Sequence, residues 1–124
     1  MANLLIDKHK LLYHEKELKS ALAGESIVPI YVDLGIHNAC NFRCVHCGPG
    51  FRGHGGYYIE REPLLKLMKD MGDSGVKSVL IGGTGEPTLN PHLEEAVLVG
   101  KKHGLDLAVT SNGALLNENK LNNI

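Results

Sequence analysis

Short apolar segments alternate with longer amphipathic ones from residue 30 onward, and this alternation limits the fold more than any other feature. The apolar segments are rich in β-branched residues, which favours strands, while the segments between them repeat apolar residues at helical spacing. The predicted strands are 30–36, 77–81 and 105–110, and the predicted helices are 60–71, 91–103 and 115–124. Long connections between consecutive strands indicate right-handed βαβ units and a parallel sheet. The predicted fold class is therefore α/β.

A further amphipathic helix is predicted at residues 8–23, on the outside of the domain, with Gly24 at its end. We divide the chain into an N-terminal helical extension, residues 1–26, and a core domain, residues 27–124. Five glycines and a proline make residues 48–57 a loop, in which we expect Arg52 to face a cavity.

The composition is that of an ordinary soluble protein, with 43% hydrophobic residues, 22% charged residues and a formal net charge of -1. No basic excess indicates nucleic acid. The N-terminus lacks the apolar core of a signal peptide, and no apolar run has the length of a membrane span. We therefore expect a cytoplasmic protein without a membrane partner.

Three cysteines, Cys40, Cys44 and Cys47, lie within eight residues in the pattern C-x3-C-x2-C. An odd number of thiols in a reducing compartment predicts metal ligands or reactive thiols rather than disulfides. One short loop of this spacing can hold three corners of a cubic iron–sulfur cluster, and the sequence has no fourth cysteine. The fourth iron would then be open to an external ligand.

A structural zinc site of Cys3His type is the alternative, with His37, His46 or His54 as the fourth ligand. Zinc sites more often pair two C-x2-C motifs that are far apart in sequence, and no second motif is present. The spacing favours the cluster.

Two further motifs follow predicted strands. Gly82–Pro87 contains three glycines, but it lacks the Lys of a phosphate-binding loop and departs from the dinucleotide-binding pattern. Thr110–Gly113 contains Ser and Asn, which also favour helix N-caps. Since ligands bind at the carboxyl ends of parallel strands, we expect both motifs to lie beside the cysteines.

Together the three motifs resemble the radical SAM superfamily, which has the C-x3-C-x2-C signature and a glycine-rich Gly-Gly-Glu motif. The resemblance implies a [4Fe-4S] cluster held by the three cysteines and S-adenosylmethionine (SAM) bound at the open iron. Reductive cleavage of SAM would give a 5'-deoxyadenosyl radical that abstracts hydrogen from an unknown substrate. His46 stands where the family usually has an aromatic residue, and it is assigned to the cofactor.

The resemblance also implies the residues that contact SAM. Those assigned to its amino group are Gly82, Gly83, Thr84 and Glu86. Polar side chains after the third strand, Ser111 and Asn112, would contact its ribose or carboxylate. Asn41, Phe42 and Arg43 are expected to shape the cysteine loop, whereas His92 and His103 are expected to be structural.

The resemblance covers about three strands of a (β/α)6 barrel. We therefore expect a truncated chain, a fragment, or a half that needs a C-terminal partner. The implied partners are a reductant such as flavodoxin or ferredoxin and a substrate that is a peptide or another macromolecule. The alternatives are a non-catalytic zinc or iron–sulfur binding module and an inactive truncated product.

Overall fold

Three parallel strands form one sheet in the order β1–β2–β3. The computed structural model describes residues 10–48, 50, 53 and 55–123. The strands are β1, Tyr31–Leu34; β2, Ser78–Ile81; and β3, Asp106–Val109. Asp33 pairs with Leu80, and Leu80 with Ala108, so each residue of β2 has a partner on both sides. The predicted parallel sheet is confirmed.

Helices separate the strands at the predicted places. The helices are α1, Glu15–Leu22; α2, Arg61–Ser74; α3, Leu93–Lys102; and α4, Glu118–Asn123, with 3-10 turns at Lys10–Tyr13 and Pro87–Leu89. Helix α1 buries none of its side chains, in agreement with its predicted place on the outside. No helix in the described part of the chain has both the length and the apolar character needed to cross a membrane. The boundary between the extension and the core domain stays a prediction.

Strand alternation gives the sheet one covered face and one open face. Val79 and Ile81 of β2 are buried on the covered face, whereas Asp33 and Ala108 point to the open face and are exposed. Helices α2 and α3 lie on the covered face and contribute most of the core, namely Leu64, Met68, Met71, Leu93, Ala96 and Val97. The helical spacing of residues 60–71 also predicts Leu67 on the apolar face of α2, but this is wrong, because 36% of Leu67 is exposed. The loops that carry the three motifs follow the carboxyl ends of the three strands.

The sequence predicts that Gly72 and Gly75 end α2; Gly75 does so, whereas Gly72 lies inside the helix. The helix continues to Ser74, and Gly75 ends it with a left-handed φ of 99°. Gly72 instead lies where α2 meets the end of α3, because a Cβ there would overlap the carbonyl oxygen of His103. Close packing between the two helices explains this glycine.

Replacing Gly72 with alanine is expected to lower the free energy of unfolding by about 1–2 kcal/mol. Alanine is the better helix former by about 1 kcal/mol, but overlap with a backbone carbonyl, which cannot rotate away, costs about 2–3 kcal/mol, in the upper part of the range for overpacking. Urea denaturation followed by circular dichroism measures the change. Gly56→Ala is the matched control, because nothing lies within 4 Å of a Cβ added there. Unchanged or higher stability of Gly72→Ala would contradict the close packing.

Candidate functional site

The three motifs meet at the carboxyl edge of the sheet, as their positions after the strands predicted. The amide of Glu86, in the glycine turn, donates to the carbonyl of Ala39 at 2.8 Å, just before the cysteine loop. The amide of Asn112, after β3, donates to the Glu86 carboxylate at 2.8 Å. Hydrogen bonds thus connect the loops that follow all three strands.

The cysteine loop, residues 40–47, presents three free thiols. Cys40 and Cys47 are half-buried, and Cys44 is exposed. Arg43 shapes the loop as predicted, because its guanidinium donates to the carbonyls of Cys40 at 2.7 Å and Phe42 at 2.8 Å. These contacts fix the backbone and leave the sulfur atoms accessible.

The thiols are not gathered around a common point. Among the described residues, no three His, Cys, Asp or Glu side chains are grouped as a metal site. The donor set nevertheless fits an iron–sulfur cluster, since three thiolates on one loop are the ligands that such clusters use. The assignment of the three cysteines to a cluster therefore stays a prediction that the chemistry of the loop supports.

The histidines considered for zinc differ in their surroundings. His37 Nδ1 accepts from the amide of Ala39 at 2.8 Å, and its ring stacks on Tyr58 at 5.7 Å. Burial lowers the pKa of His37. His46 is exposed, while His54, like Arg52, lies outside the described residues. His37 is thus already held by its own turn and by an aromatic neighbour.

The glycine turn, residues 82–86, packs against its neighbours so closely that side chains are excluded at two positions. A Cβ at Gly82 would overlap the hydroxyl of Thr110, and a Cβ at Gly85 would overlap the carbonyl oxygens of His37 and Ala39. Gly83 has a φ of 97°, which favours glycine, and it is exposed together with Thr84. The turn is therefore pressed against the start of the cysteine loop with its tip free.

Glu86 is the last residue of this turn, and only 2% of its surface is exposed. Its Oε1 accepts from the Thr88 amide at 3.0 Å, from the Thr88 hydroxyl and from the Ser111 hydroxyl at 2.7 Å. Its Oε2 accepts from the Asn112 amide. Burial alone would raise the pKa of this carboxyl, but the hydrogen bonds from Asn112, Thr88 and Ser111 outweigh it and lower the pKa. Glu86 is a buried carboxylate that joins two loops.

Ser111 and Asn112 do not cap a helix, so that alternative is wrong. The Ser111 hydroxyl accepts from the amide of Gly113 at 3.0 Å, and Asn112 Oδ1 accepts from the amide of Ala114 at 3.0 Å. The helix that follows is capped by Asn117, whose Oδ1 accepts from the amide of Lys120 at 2.9 Å. The capping signal was therefore present in the sequence, a few residues later.

Asn90 was not predicted from the sequence, although its side chain connects two segments of the chain. It is 2% exposed, and its Nδ2 donates to the carbonyls of Ile36 and Ile59, both at 3.1 Å. It thereby joins the residues after β1 to the segment before α2. A buried Asn with two long-range partners leaves no periodic signal in the sequence.

His92 and His103 have the structural surroundings that we expected. The ring of His92 lies 6.1 Å from that of Tyr58. His103 Nδ1 lies 2.6 Å from a carboxylate oxygen of Asp73, which connects the ends of α2 and α3. Neither histidine belongs to the loops that carry the three motifs.

The family model of the radical SAM superfamily matches residues 34–124 of this chain. A GTP 3',8-cyclase of Campylobacter fetus subsp. fetus (strain 82-40) is 37% identical, over 69% of this chain and 28% of that protein. An S-adenosylmethionine-dependent nucleotide dehydratase of Thermoplasmatales archaeon (strain ISO4-H5) is 31% identical, over 69% of this chain and 30% of that protein.

Solved structures show the same fold. Streptococcus suis SuiB bound to S-adenosylmethionine aligns with a TM-score of 0.67 at 19% identity, over 91% of this chain and 26% of that one. BtrN in complex with AdoMet and 2-DOIA aligns with a TM-score of 0.65 at 20% identity, over 79% of this chain and 42% of that one.

The chain belongs to the radical SAM superfamily. Membership implies SAM and a [4Fe-4S] cluster as cofactors, and the two sequence relatives described above are named as enzymes. The chain spans less than a third of the length of these curated relatives. Its sheet corresponds to a part of the barrel of the structural neighbours.

Replacing Glu86 with glutamine is expected to destabilise the protein at neutral pH by about 1–3 kcal/mol, because an amide group would face the donors that the carboxylate now accepts from. The pKa of Glu86 is lower in the folded chain than its ordinary value of 4.5. Its stabilising contribution is therefore complete above the unfolded pKa and is lost as the pH falls through the folded pKa.

Urea unfolding of Glu86→Gln between about pH 7 and pH 3 should accordingly show a smaller loss of stability on acidification than the unsubstituted chain shows. Glu25→Gln is the control, since Glu25 is exposed. A variant as stable as the unsubstituted chain at every pH would contradict the role of Glu86 in joining the loops.

Proposed function

We propose that this chain forms the cluster- and SAM-binding part of an enzyme that cleaves SAM reductively to a 5'-deoxyadenosyl radical, which abstracts hydrogen from a substrate. The observation that carries the proposal is the hydrogen-bonded meeting of the cysteine loop, the glycine turn and residues 111–112 at one sheet edge. Family membership supports the same chemistry.

The cysteine loop would hold the cluster. Cys40, Cys44 and Cys47 offer three accessible sulfur donors, and the two hydrogen bonds from Arg43 keep the first turn of the loop in shape. Held by these three thiolates, a [4Fe-4S] cluster would leave one iron for SAM and would pass on the electron that a reductant provides for its cleavage. The chain's own part is to present the sulfur atoms beside the glycine turn.

The glycine turn would receive the amino group of SAM. An ammonium has only donors to offer, so it needs acceptors such as backbone carbonyls that can be approached closely. Gly82, Gly83 and Thr84 form a turn with an exposed tip. Glu86 contributes through the loops that it joins, because its carboxylate is buried and occupied by donors of the chain.

Three further residues complete the proposed SAM site. Ser111 and Asn112 lie beside the glycine turn, because both are bonded to Glu86. This position supports their assignment to the ribose or carboxylate of SAM. His46 is exposed and directly precedes Cys47, so its ring is available to the cofactor.

The substrate and the electron donor belong to the proposal as well. The sequence relatives are named for GTP cyclisation and nucleotide dehydration, whereas SuiB is also known bound to the precursor peptide SuiA. Nucleotides and peptides or other macromolecules are therefore the two substrate classes to test. A flavodoxin or ferredoxin would serve as the reductant, in a cytoplasm that keeps the thiols reduced.

Replacing Cys44 with alanine is expected to abolish cluster binding and 5'-deoxyadenosine formation, because it removes one of three ligands. Cluster binding is measured by anaerobic reconstitution followed by iron, sulfide and zinc analysis. The reconstituted chain is then incubated with SAM and dithionite, and 5'-deoxyadenosine is detected by chromatography. Val45→Ala is the matched control in the same loop, since 89% of Val45 is exposed. This variant should keep the iron content of the unsubstituted chain.

Two results would refute the proposed cluster. One is zinc without iron in the reconstituted chain, which would favour a metal-binding module. The other is an iron content in Cys44→Ala equal to that of Val45→Ala. Undiminished 5'-deoxyadenosine formation by Cys44→Ala would instead refute the catalytic role of the cluster.

A further inference from the structure

The side chain of Asn112 reaches the first cysteine of the loop. Its Nδ2 lies 3.8 Å from Cys40 Sγ and donates to Asn41 Oδ1 at 2.8 Å. We infer that Asn112 is a positioning residue that donates a hydrogen bond to the Cys40 thiolate and thereby raises the reduction potential of the cluster. This inference rests on the proposed function, since it concerns the cluster that the cysteines would hold.

The orientation of the Asn112 amide is held at its other end. Its Oδ1 accepts from the amide of Ala114, so its two N–H groups must point the opposite way, toward the cysteine loop. Its backbone amide donates to Glu86, which is buried and cannot follow a displacement of the loop. Asn112 is therefore fixed from two sides with its donors directed at Asn41 and Cys40.

The three sulfur atoms differ in the donors around them. Cys40 Sγ also accepts from the backbone amide of Phe42 at 3.4 Å, so two N–H groups are directed at it. Within the described residues, no hydrogen bond is donated to the sulfur of Cys44 or Cys47. Among the residues that the structure describes, the N–H donors to the ligand sulfurs are thus directed at Cys40.

Hydrogen bonds to cysteinate sulfur favour the more negatively charged, reduced state of an iron–sulfur cluster. The Phe42 amide is a backbone group of the cysteine loop, so any chain whose loop has the same backbone conformation would have this donor. The Asn112 amide is different, because it comes from the end of the third strand. A side chain from another part of the fold would therefore adjust the ease with which the cluster accepts an electron.

Two substitutions test the inference without relying on activity. Asn112→Asp keeps an oxygen for the Ala114 amide and so preserves the local turn, but it removes the donor to Cys40. Asn112→Ala removes the donor without adding a charge. The matched controls are Asn119→Asp and Asn119→Ala, which make the same changes at an exposed residue of α4.

The readout is the midpoint potential of the reconstituted cluster without SAM, from a redox titration monitored by electron paramagnetic resonance. Both Asn112 variants are expected to have a more negative potential than the unsubstituted chain, so less of their cluster is reduced at a fixed solution potential. The Asn119 variants should match the unsubstituted chain.

Several outcomes overturn the inference and can be told apart from failure of the proposed function. An unchanged potential in Asn112→Ala, with the cluster present, overturns it alone. An unchanged potential accompanied by weaker SAM binding overturns it too, and leaves Asn112 with only the SAM contact of the proposed function. A reconstituted chain that holds no iron–sulfur cluster overturns both the inference and the proposed function.

Discussion

The carboxylate of Glu86 is the interaction on which the arrangement of the site depends. Burying a charge is unfavourable unless it is hydrogen-bonded, and here donors from Thr88, Ser111 and Asn112 surround both oxygens. The donors come from the turn after β2 and from the loop after β3, while the backbone amide of Glu86 is bonded to the residue before the first cysteine. One residue thus connects the ends of three strands.

This connection is possible because the sheet is parallel. In a parallel sheet with helical crossovers, every strand delivers its carboxyl end to the same edge, so loops far apart in sequence become neighbours. Glycine makes the approach close enough, since side chains at Gly82 and Gly85 would overlap the adjoining loops. Backbone topology brings the motifs to one edge, and the absence of side chains lets them touch.

Sequence periodicity was sufficient to predict the strands and helices, because the apolar spacing of β2, α2 and α3 directly reflects which face is buried. The meeting of the three motifs also followed from the βαβ order. The roles of Gly72, Asn90 and Asn117 did not, and each was missed for a physical reason. Gly72 and Asn90 serve contacts with residues distant in sequence, and Asn117 was overlooked because Ser111 and Asn112 carry the same capping chemistry.

The tight fit of Gly85 against the carbonyls of His37 and Ala39 also affects the order in which the molecule can assemble. The segment that begins the cysteine loop is shaped by a turn that lies beyond the whole of α2 in the sequence. Contacts between distant segments require the intervening chain to be closed into a loop, which costs conformational entropy. During synthesis, the cysteine loop emerges before the turn that packs against its start, so this contact cannot form until β2 and the turn have also been made.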